Sequence, residues 1–287
     1  MNIVIVGCNG QLGTDMVRIF RGAGHAVSGI DYPDIDIADP ARTTASIAAL
    51  APQVVVNAAA YTAVDAAESD AAQAWAVNAH GAGNVAAAAS ATGAALVHLS
   101  TDYVFDGVKK GPYIETDTPN PLSVYGASKL AGERRVQDAC PEHFIVRIAW
   151  LYGAHGANFV KNILRIAVRK KKEGAPLLVV NDQHGSPTHT VDVCNQLLAL
   201  LGCTAYGIYH GTSEGSCTWY DFARRIISKY GIDVAIRPCA THDFPRPAPR
   251  PANSVLENAA LKALGKNTMP DWSEAFDAFY QANREPK

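Results

Sequence analysis

Tyr125 and Lys129 are the two side chains of this sequence whose types and spacing best suit acid catalysis. Residues at positions i and i+4 lie on one face of an α-helix, and residues 130–136 mix apolar, small and charged side chains as an amphipathic helix does. A phenol, with an ordinary pKa of about 10, is a poor acid at neutral pH. A neighbouring ammonium group lowers that pKa and helps the phenol give its proton to a carbonyl oxygen. The pair therefore predicts Tyr125 as the general acid of a reduction; the alternative is a surface tyrosine stacked along a lysine stem, which the spacing alone favours.

The start of the chain supplies an element that could serve such a reaction. Residues 2–6 are a continuous apolar, mostly β-branched run, typical of a parallel strand buried on both faces. Gly7, Gly10 and Gly13 follow at intervals of three residues and lead into the helix-like residues 14–20. Glycines between a strand and a helix allow a tight turn and let backbone N–H groups approach a pyrophosphate. The pattern predicts a dinucleotide-binding loop.

A second apolar run, residues 25–30, ends in Asp31. An acidic residue at the end of the second strand can accept hydrogen bonds from the ribose hydroxyls of adenosine, and it repels a 2′-phosphate. Asp31 therefore slightly favours NADH over NADPH. The alternative is that Asp31 only caps a loop.

The alternation of strands and helices continues through the first half of the chain. Strand-like runs occupy residues 54–60 and 95–101, and helical patterns occupy residues 39–50 and 71–92, with a break expected near Gly81 and Gly83. In an open parallel sheet, ligands bind at the carboxyl ends of the strands. The glycine loop, Asp31, residues 60–62 and residues 100–102 all fall at predicted strand ends. The fold predicted is a doubly wound parallel α/β sheet with its site at this edge.

Ser100 and Thr101 end the strand that precedes the tyrosine. A hydroxyl there could hold a substrate carbonyl oxygen beside Tyr125. Adjacent strand residues point to opposite faces, so only one of the two should face the site. The alternation does not decide which one.

The composition sets the class of protein. With 287 residues, 48% of them hydrophobic and 18% charged, the chain is long and apolar enough to form a folded core. A net charge of −2 gives no general attraction to nucleic acid or an anionic membrane. The sequence shows no secretory signal and no long apolar span, so we expect a cytoplasmic protein with no membrane partner. Its six scattered cysteines are expected to be reduced, and no metal ligand set is assigned, since His184 and His189 lie in a proline-containing loop.

The second half of the chain is less regular and is expected to carry the substrate side. We predict a dinucleotide-binding domain over residues 1–150, with parts of residues 177–212 added to its sheet, and a smaller interleaved substrate-binding lobe over residues 151–287. Residues 246–251 form a stiff segment rich in proline and arginine. Its arginines could pair with a diphosphate, although an exposed linker is an equal alternative.

Several longer strings carry a family resemblance. They are residues 10–13 (GQLG), 57–65 (NAAAYTAVD), 100–107 (STDYVFDG), 125–129 (YGASK), 147–153 (RIAWLYG), 181–188 (NDQHGSPT), 219–223 (WYDFA) and 250–254 (RPANS). Together they resemble the extended short-chain dehydrogenase/reductases, and more narrowly the dTDP-4-dehydrorhamnose reductase family, over essentially the whole chain.

The resemblance implies a Rossmann-type fold and NAD(P)H-dependent reduction of the C4 ketone of dTDP-4-dehydro-L-rhamnose. It implies that Tyr125 donates the proton, that Lys129 lowers the tyrosine pKa and holds the nicotinamide ribose, and that Thr101 orients the carbonyl. It assigns the cofactor, NADPH or NADH, to Gly7, Gly10, Gln11, Leu12, Gly13, Asp31, Asp36, Ile37, Ala60, Tyr61, Thr62, Tyr125 and Lys129. It assigns the nucleotide sugar to Thr101, Asp102 and Trp150, although Trp150 could equally be a core residue.

Relatives with other activities define the alternatives. Sugar-nucleotide dehydratases carry Thr-Asp-Glu after the central strand, whereas this chain has Thr101-Asp102-Tyr103 and lacks that glutamate base. A reductase of another nucleotide-linked 4-keto sugar stays open. So does a binding module like the regulatory subunit of methionine adenosyltransferase, although retention of Tyr125 and Lys129 argues for an enzyme. Some members form homodimers or bind Mg²⁺; a homodimer is expected here on that ground, and no acidic set can be assigned to the metal.

Overall fold

A parallel sheet of six strands organises the chain. In the computed structural model, which describes residues 1–284, the strands are β1 (Asn2–Val6), β2 (Ala26–Ile30), β3 (Val54–Asn57), β4 (Ala95–Thr101), β5 (His143–Ile148), β6 (Leu151–Tyr152), β7 (Leu177–Val180), β8 (His184–Gly185), β9 (Thr188–His189), β10 (Gly207–His210), β11 (Cys217–Thr218) and β12 (Ile236–Cys239). The main sheet has the order β10-β5-β4-β3-β1-β2, and all neighbouring strands run parallel. The strand order reverses between β1 and β3, where doubly wound folds bind nucleotides. The predicted Rossmann-type fold is confirmed.

Helices cover both faces of this sheet. They are α1 (Gln11–Gly22), α2 (Pro40–Ala49), α3 (Val64–Ala67), α4 (Ala71–Trp75), α5 (Ala82–Ala91), α6 (Val124–Ala139), α7 (Phe159–Glu173), α8 (Thr190–Leu200), α9 (Trp219–Tyr230), α10 (Ala259–Ala263) and α11 (Trp272–Asn283). Because strand side chains alternate, Ile3 and Ile5 of β1 pack in the core with α1 and α8. Val4 and Val6 point the other way, into the core with α2, α5 and α6.

The helical region after β3 differs from the sequence prediction. A break was expected near Gly81 and Gly83, but the chain stays helical, with a π-helical stretch over Ala76–Gly81 between α4 and α5. A π turn accommodates an extra residue without ending the helix. This stretch packs against α6 and brings Asn78 to it.

The rest of the chain forms a second core beside the sheet. Six short strands pair as β11-β8, β12-β7 and β6-β9, and α7, α9 and α11 pack around Tyr152, Phe222 and Phe276. The two halves interleave, because β10 pairs with β5 in the main sheet and α8 packs on α1, whereas β7 pairs with β12 outside that sheet. The last three residues of the predicted lobe, 285–287, lie outside the described residues.

Two properties of the described residues concern the oxidation state of the cysteines and the ability of the helices to cross a membrane. All six cysteines lie within the described range, and each is a free thiol. Each helix in residues 1–284 is too short or too polar to cross a membrane.

The contact between α6 and the π-helical stretch requires a glycine. A Cβ atom at Gly132 would lie 2.1 Å from the carbonyl oxygen of Asn78, so Gly132→Ala must push the two helices apart. We expect a loss of about 1–3 kcal/mol in the free energy of unfolding, measured by urea denaturation.

Gly22→Ala in α1 is the matched control, since a Cβ atom there meets nothing within 4 Å. It should leave stability unchanged or raise it by up to about 1 kcal/mol, because alanine favours a helix more than glycine does. Equal stability of the Gly132→Ala and Gly22→Ala variants would contradict the close approach of the two helices.

Candidate active site

The glycine loop after β1 has the geometry of a dinucleotide-binding loop. Gly7 has a φ of +84°, and a Cβ atom on it would lie 2.6 Å from the backbone nitrogen of Ala59. A Cβ atom on Gly13 would lie 2.1 Å from the Gly7 carbonyl oxygen. Gly10 caps α1 and has no side chain to bond the first helical N–H groups. Those N–H groups at the positive end of the helix dipole suit a pyrophosphate, so the loop fits the expected cofactor.

Asp31 lies directly beside this loop. Its Oδ2 atom accepts a hydrogen bond from the Asn9 N–H at 2.8 Å, and its Oδ1 atom accepts one from the Tyr32 N–H at 2.8 Å. Asp31 therefore does cap the loop, as the alternative interpretation expected. A carboxylate has about four acceptor positions, so these two bonds leave capacity for ribose hydroxyls.

The other residues assigned to the cofactor differ in what their side chains do. Leu12 is buried in the core against the sheet. Gln11 donates to the Leu151 carbonyl oxygen at 3.3 Å and accepts from Asn158 at 2.8 Å, which ties the loop to the start of the second lobe. Asp36 accepts from the Ala38 N–H at 3.0 Å, and Ile37 is buried against Gly81.

Residues 60–62, after β3, are held by a residue that sequence reasoning missed. The Asn78 side chain accepts from the Tyr61 N–H at 2.8 Å and donates to the Tyr61 carbonyl oxygen at 3.1 Å and to Ser128 at 3.0 Å. Asn78 thus joins the loop after β3, which includes Ala60 and Thr62, to the helix that carries the proposed acid. A buried asparagine inside an alanine-rich helix was the available signal, because asparagine is unfavourable there without a specific partner.

Helix α6 begins one residue before Tyr125, and local bonds fix that start. Ser123 caps the helix by accepting from the Gly126 N–H at 3.1 Å, and Glu68 accepts from the Val124 N–H at 2.9 Å. A Cβ atom on Gly126 would lie 2.2 Å from the Tyr103 carbonyl oxygen, so the glycine permits a close approach. Tyr125 is only 9% exposed, and the alternative of a surface tyrosine is wrong.

The end of β4 brings Thr101 to Tyr125 and turns Ser100 away. The Thr101 hydroxyl donates to Asp102 Oδ1 at 3.0 Å and accepts from the Tyr103 N–H at 3.2 Å, and Thr101 lies near enough to the Tyr125 phenol to lower its pKa. The Ser100 hydroxyl lies on the opposite face and donates to Glu133 Oε1 at 2.5 Å. The structure therefore places Thr101, and not Ser100, next to Tyr125, a choice that strand alternation left open.

The ionisation of the Tyr–Lys pair differs from the prediction. Burial raises the pKa of Tyr125 to about 12, partly opposed by the neighbouring Thr101 and reinforced by the charge of Asp102. Burial also lowers the pKa of Lys129 to about 8. The expected lowering of the Tyr125 pKa by Lys129 is wrong for this structure. The physical reason is that burial removes water from the phenolate, while the Lys129 ammonium donates to the Leu99 carbonyl oxygen at 2.6 Å.

The two remaining substrate candidates lie at neighbouring strand ends. Asp102 is 2% exposed, and burial raises its pKa to about 6. Trp150, after β5, has a φ of +47° and stacks on Trp219, with ring centroids 3.4 Å apart and planes 5° from parallel. Its indole ring also packs against Gly185, where a Cβ atom would lie 2.3 Å away. Trp150 therefore packs at the edge of the second core, as expected if it is a core residue.

A cavity of about 1010 Å³ lies beside these residues. Tyr103 and Trp219 line it, and the Tyr103 ring contacts the Tyr125 ring edge-on, with centroids 5.5 Å apart. The charged residues of its lining are Asp65, Arg169, Lys170, Arg246 and Arg250. Basic groups outnumber the single carboxylate, so the cavity favours an anionic ligand.

The segment 246–251 forms part of this wall and is bound to the first half of the chain. Arg250 donates two hydrogen bonds of 2.9 Å to the two carboxylate oxygens of Asp65. This pairing lowers the pKa of Asp65, and the hydrogen bonds from Arg250 are the largest cause. Arg246 is 62% exposed in its side chain and lies 3.9 Å from the same carboxylate. The exposed-linker alternative is therefore wrong for Arg250.

The fold and the site together define the class of protein. The chain has a dinucleotide-type loop at the reversal of a doubly wound sheet, a threonine at the end of a nearby strand, and a buried tyrosine and lysine on the following helix. This combination is typical of a short-chain dehydrogenase/reductase. More narrowly, the chain belongs to the family described as the RmlD substrate binding domain, whose model matches residues 1–285.

Relatives of this chain carry names that agree with that family. The chain is 41% identical to a dTDP-4-dehydrorhamnose reductase of Streptomyces griseus, over 97% of this chain and 93% of that protein. It is 39% identical to a dTDP-4-keto-6-deoxy-D-glucose reductase of Streptomyces niveus, over 95% of this chain and 94% of that protein. A dTDP-4-dehydrorhamnose reductase of Bacillus anthracis, solved in complex with NADP, is 37% identical and has a TM-score of 0.94, covering 98% of this chain and 99% of that chain. The resemblance found in the sequence is confirmed.

The position of Asp31 generates a test of cofactor preference. Asp31→Asn keeps one acceptor oxygen for the loop N–H groups and removes the negative charge that repels a 2′-phosphate. We expect the affinity for NADPH relative to NADH to rise by about tenfold, or about 1.4 kcal/mol, measured by cofactor fluorescence.

Asp34→Asn is the control, because Asp34 is an exposed carboxylate three residues further along the same connection. An unchanged affinity ratio in Asp31→Asn would show that Asp31 serves only to cap the loop.

Proposed function

We propose that this chain catalyses the NAD(P)H-dependent reduction of the C4 ketone of dTDP-4-dehydro-L-rhamnose to dTDP-L-rhamnose, a precursor for cell-surface polysaccharides. The observation that carries this proposal is the buried Tyr125 phenol beside Thr101, in edge-on contact with Tyr103 on the cavity wall. The names of the relatives over nearly the full chain support the substrate.

The proposed chemistry uses the ordinary protonation states of the site. A Tyr125 pKa of about 12 keeps the phenol protonated at neutral pH, so it can donate to the substrate carbonyl oxygen. Thr101 holds the same oxygen and orients the carbonyl. As the oxygen gains negative charge, Tyr125 transfers its proton, and the Lys129 ammonium on the same helix face would hold the nicotinamide ribose, as the family resemblance implies. The dihydronicotinamide, when bound, supplies the hydride.

The residues that would hold the cofactor surround the end of β1. The N–H groups at the start of α1 would bind the pyrophosphate, and Asp31 would bind the adenosine ribose. Residues 60–62, held by Asn78, would lie along the nicotinamide half. The NADP complex of the Bacillus anthracis relative supports NADPH as a cofactor alongside NADH.

The basic wall of the cavity supports a nucleotide diphosphate as the anionic part of the substrate. Arg246 is exposed and bears only a long 3.9 Å ion pair, so it can turn towards a diphosphate. Both terminal nitrogens of the Arg250 guanidinium already donate to Asp65, so Arg250 would hold the cavity wall in place and not bind the diphosphate. Arg169 and Lys170 add positive charge from the end of α7.

A second candidate is the reduction of a related dTDP-4-keto-6-deoxy sugar. The Streptomyces niveus relative favours it, since its identity to this chain is within two percentage points of that of the Streptomyces griseus protein. A regulatory binding module is disfavoured, because Tyr125, Lys129 and Thr101 all lie together at the site. Parallel NADPH oxidation assays with both dTDP sugars decide between the two substrates.

Location, assembly and metal content stay predictions of the sequence and the family resemblance. We propose a cytoplasmic enzyme that forms a homodimer. Within residues 1–284 no group of three or more histidine, cysteine, aspartate or glutamate side chains is arranged to hold a metal ion, so a bound Mg²⁺ has no assigned ligands here.

Replacing the acid tests the proposed reaction. Tyr125→Phe removes the proton donor and keeps the ring that packs against Tyr103, so we expect kcat for NADPH oxidation with dTDP-4-dehydrorhamnose to fall by about 10²–10⁴-fold. Cofactor affinity should stay close to that of the wild type.

Tyr206→Phe is the control. Tyr206 lies just before β10, at the amino end of the sheet opposite the site, where its hydroxyl donates to Glu142. It should keep wild-type activity. Substantial turnover by Tyr125→Phe would place the acid elsewhere.

The pKa of Lys129 predicts a pH dependence. With a pKa of about 8, the ammonium is present at pH 7 and is lost as the pH rises. We therefore expect kcat at saturating NADPH to fall between about pH 7 and pH 9. In Lys129→Met this basic limb should disappear and kcat should be low throughout. A wild-type kcat that stays constant up to pH 10 would contradict a role for the charged lysine.

A further inference from the structure

We propose that Glu133 is a positioning residue for this reaction, which fixes helix α6 on the end of β4. This inference rests on the proposed function, because it assigns Glu133 through the roles of Tyr125, Lys129 and Thr101. Glu133 is not expected to touch the substrate.

The first observation is a row of three side chains on α6. Tyr125, Lys129 and Glu133 follow each other at intervals of four residues, so they lie along one face of the helix. Two of them bind consecutive residues of β4, and the third lies beside the next residue. Lys129 donates to the Leu99 carbonyl oxygen at 2.6 Å, Glu133 accepts from Ser100 at 2.5 Å, and Tyr125 lies next to Thr101.

This pattern couples the position of Thr101 to Glu133. Ser100 and Thr101 point to opposite faces of β4, so a bond that fixes Ser100 also fixes the direction of its neighbour. Ser100 is 4% exposed and Glu133 is 1% exposed, so water does not replace this bond easily. A shift of about 1 Å at a catalytic group can lower a rate by about 10²-fold.

The second observation is the buried partner of Glu133. Arg147 of β5 donates to its two carboxylate oxygens at 2.9 and 2.7 Å, and each side chain is only 1–2% exposed. Burial and the charge of Arg147 lower the pKa of the neighbouring His210 to about 3, so that ring is neutral. A buried ion pair of this kind seldom adds net stability, because desolvation offsets the attraction between the charges. A role in geometry accounts for it better.

The third observation concerns the charges that face Lys129. Burial lowers the Lys129 pKa, and Glu133 raises it. His98 of β4 is neutral, since burial holds its pKa well below the usual range. Asp102 lies at the end of β4, and Tyr125 is a neutral phenol at pH 7. Glu133 is thus the carboxylate on α6 that favours the ammonium form.

Further charged groups belong to elements packed on α6. Glu68, directly after α3, caps the helix start at Val124, and Arg147 of β5 forms the buried ion pair with Glu133. Neither is among the groups that shift the pKa of Lys129.

The test compares four substitutions with the wild-type enzyme, by their effect on kcat, KM and the pH profile with NADPH and the dTDP-4-keto sugar. Glu133→Gln keeps an acceptor for Ser100 and removes the charge. We expect kcat to fall by about tenfold or more with little change in KM, and the basic limb of the kcat profile to move down by about one pH unit. Glu274→Gln is the matched control, since Glu274 is an exposed carboxylate in the first turn of α11. It should match the wild type.

Ser100→Ala is the second variant, because it removes one bond and leaves the buried ion pair intact. We expect kcat to fall by about fivefold without movement of the basic limb, and Ser100→Thr, which keeps the hydroxyl, to recover most of the loss. Thermal denaturation measures the folded fraction of every variant.

The outcomes separate this inference from the proposed function. A wild-type chain that reduces no dTDP-4-keto sugar defeats the proposed function and this inference with it. With an active wild type, an unmoved basic limb in Glu133→Gln, or a rate lowered only in proportion to the folded fraction, overturns the inference alone. If Glu133→Gln does not fold, an unchanged kcat in Ser100→Ala overturns it.

Discussion

The site depends on the contact between helix α6 and the carboxyl end of β4. Two consecutive strand residues, Leu99 and Ser100, bond to side chains from one face of the helix, and the next residue, Thr101, lies beside Tyr125 of the same face. Glycines make the approach possible, because a Cβ atom on Gly126 or Gly132 would collide with the backbone of neighbouring segments. The sheet supplies one half of this geometry and the helix supplies the other. The relative position of the candidate catalytic residues therefore depends on how α6 packs on β4.

Most strands and helices of the main sheet, and the sheet edge that carries the candidate site, were predicted from the sequence. The alternation of β-branched runs with helical patterns predicted the parallel sheet, and strand ends located Asp31, residues 60–62 and Thr101 at one edge. These predictions succeed because burial on both faces imposes a strong and local pattern on each strand. The π-helical stretch around Asn78 was not predicted, because alanine-rich sequence is equally compatible with regular and irregular turns.

Ionisation and side-chain pairing were the parts that the sequence could not supply. The spacing of Tyr125 and Lys129 predicted an acidic phenol, yet burial dominates and raises its pKa to about 12. The sign depends on how much water reaches each group and on where the ammonium points, and both are properties of the tertiary structure. The pairing of Asp65 with Arg250 likewise joins residues 185 positions apart, which spacing cannot reveal.

The most direct measurement is a crystal structure of the chain with NADP⁺ and dTDP-L-rhamnose. The docking of α6 on β4 predicts that the sugar O4 atom lies within about 3 Å of both the Tyr125 and Thr101 hydroxyls, with the diphosphate along the basic wall that includes Arg246. A sugar O4 atom beyond the reach of both hydroxyls, or a Tyr125 phenol turned away from the ligand, would contradict the account.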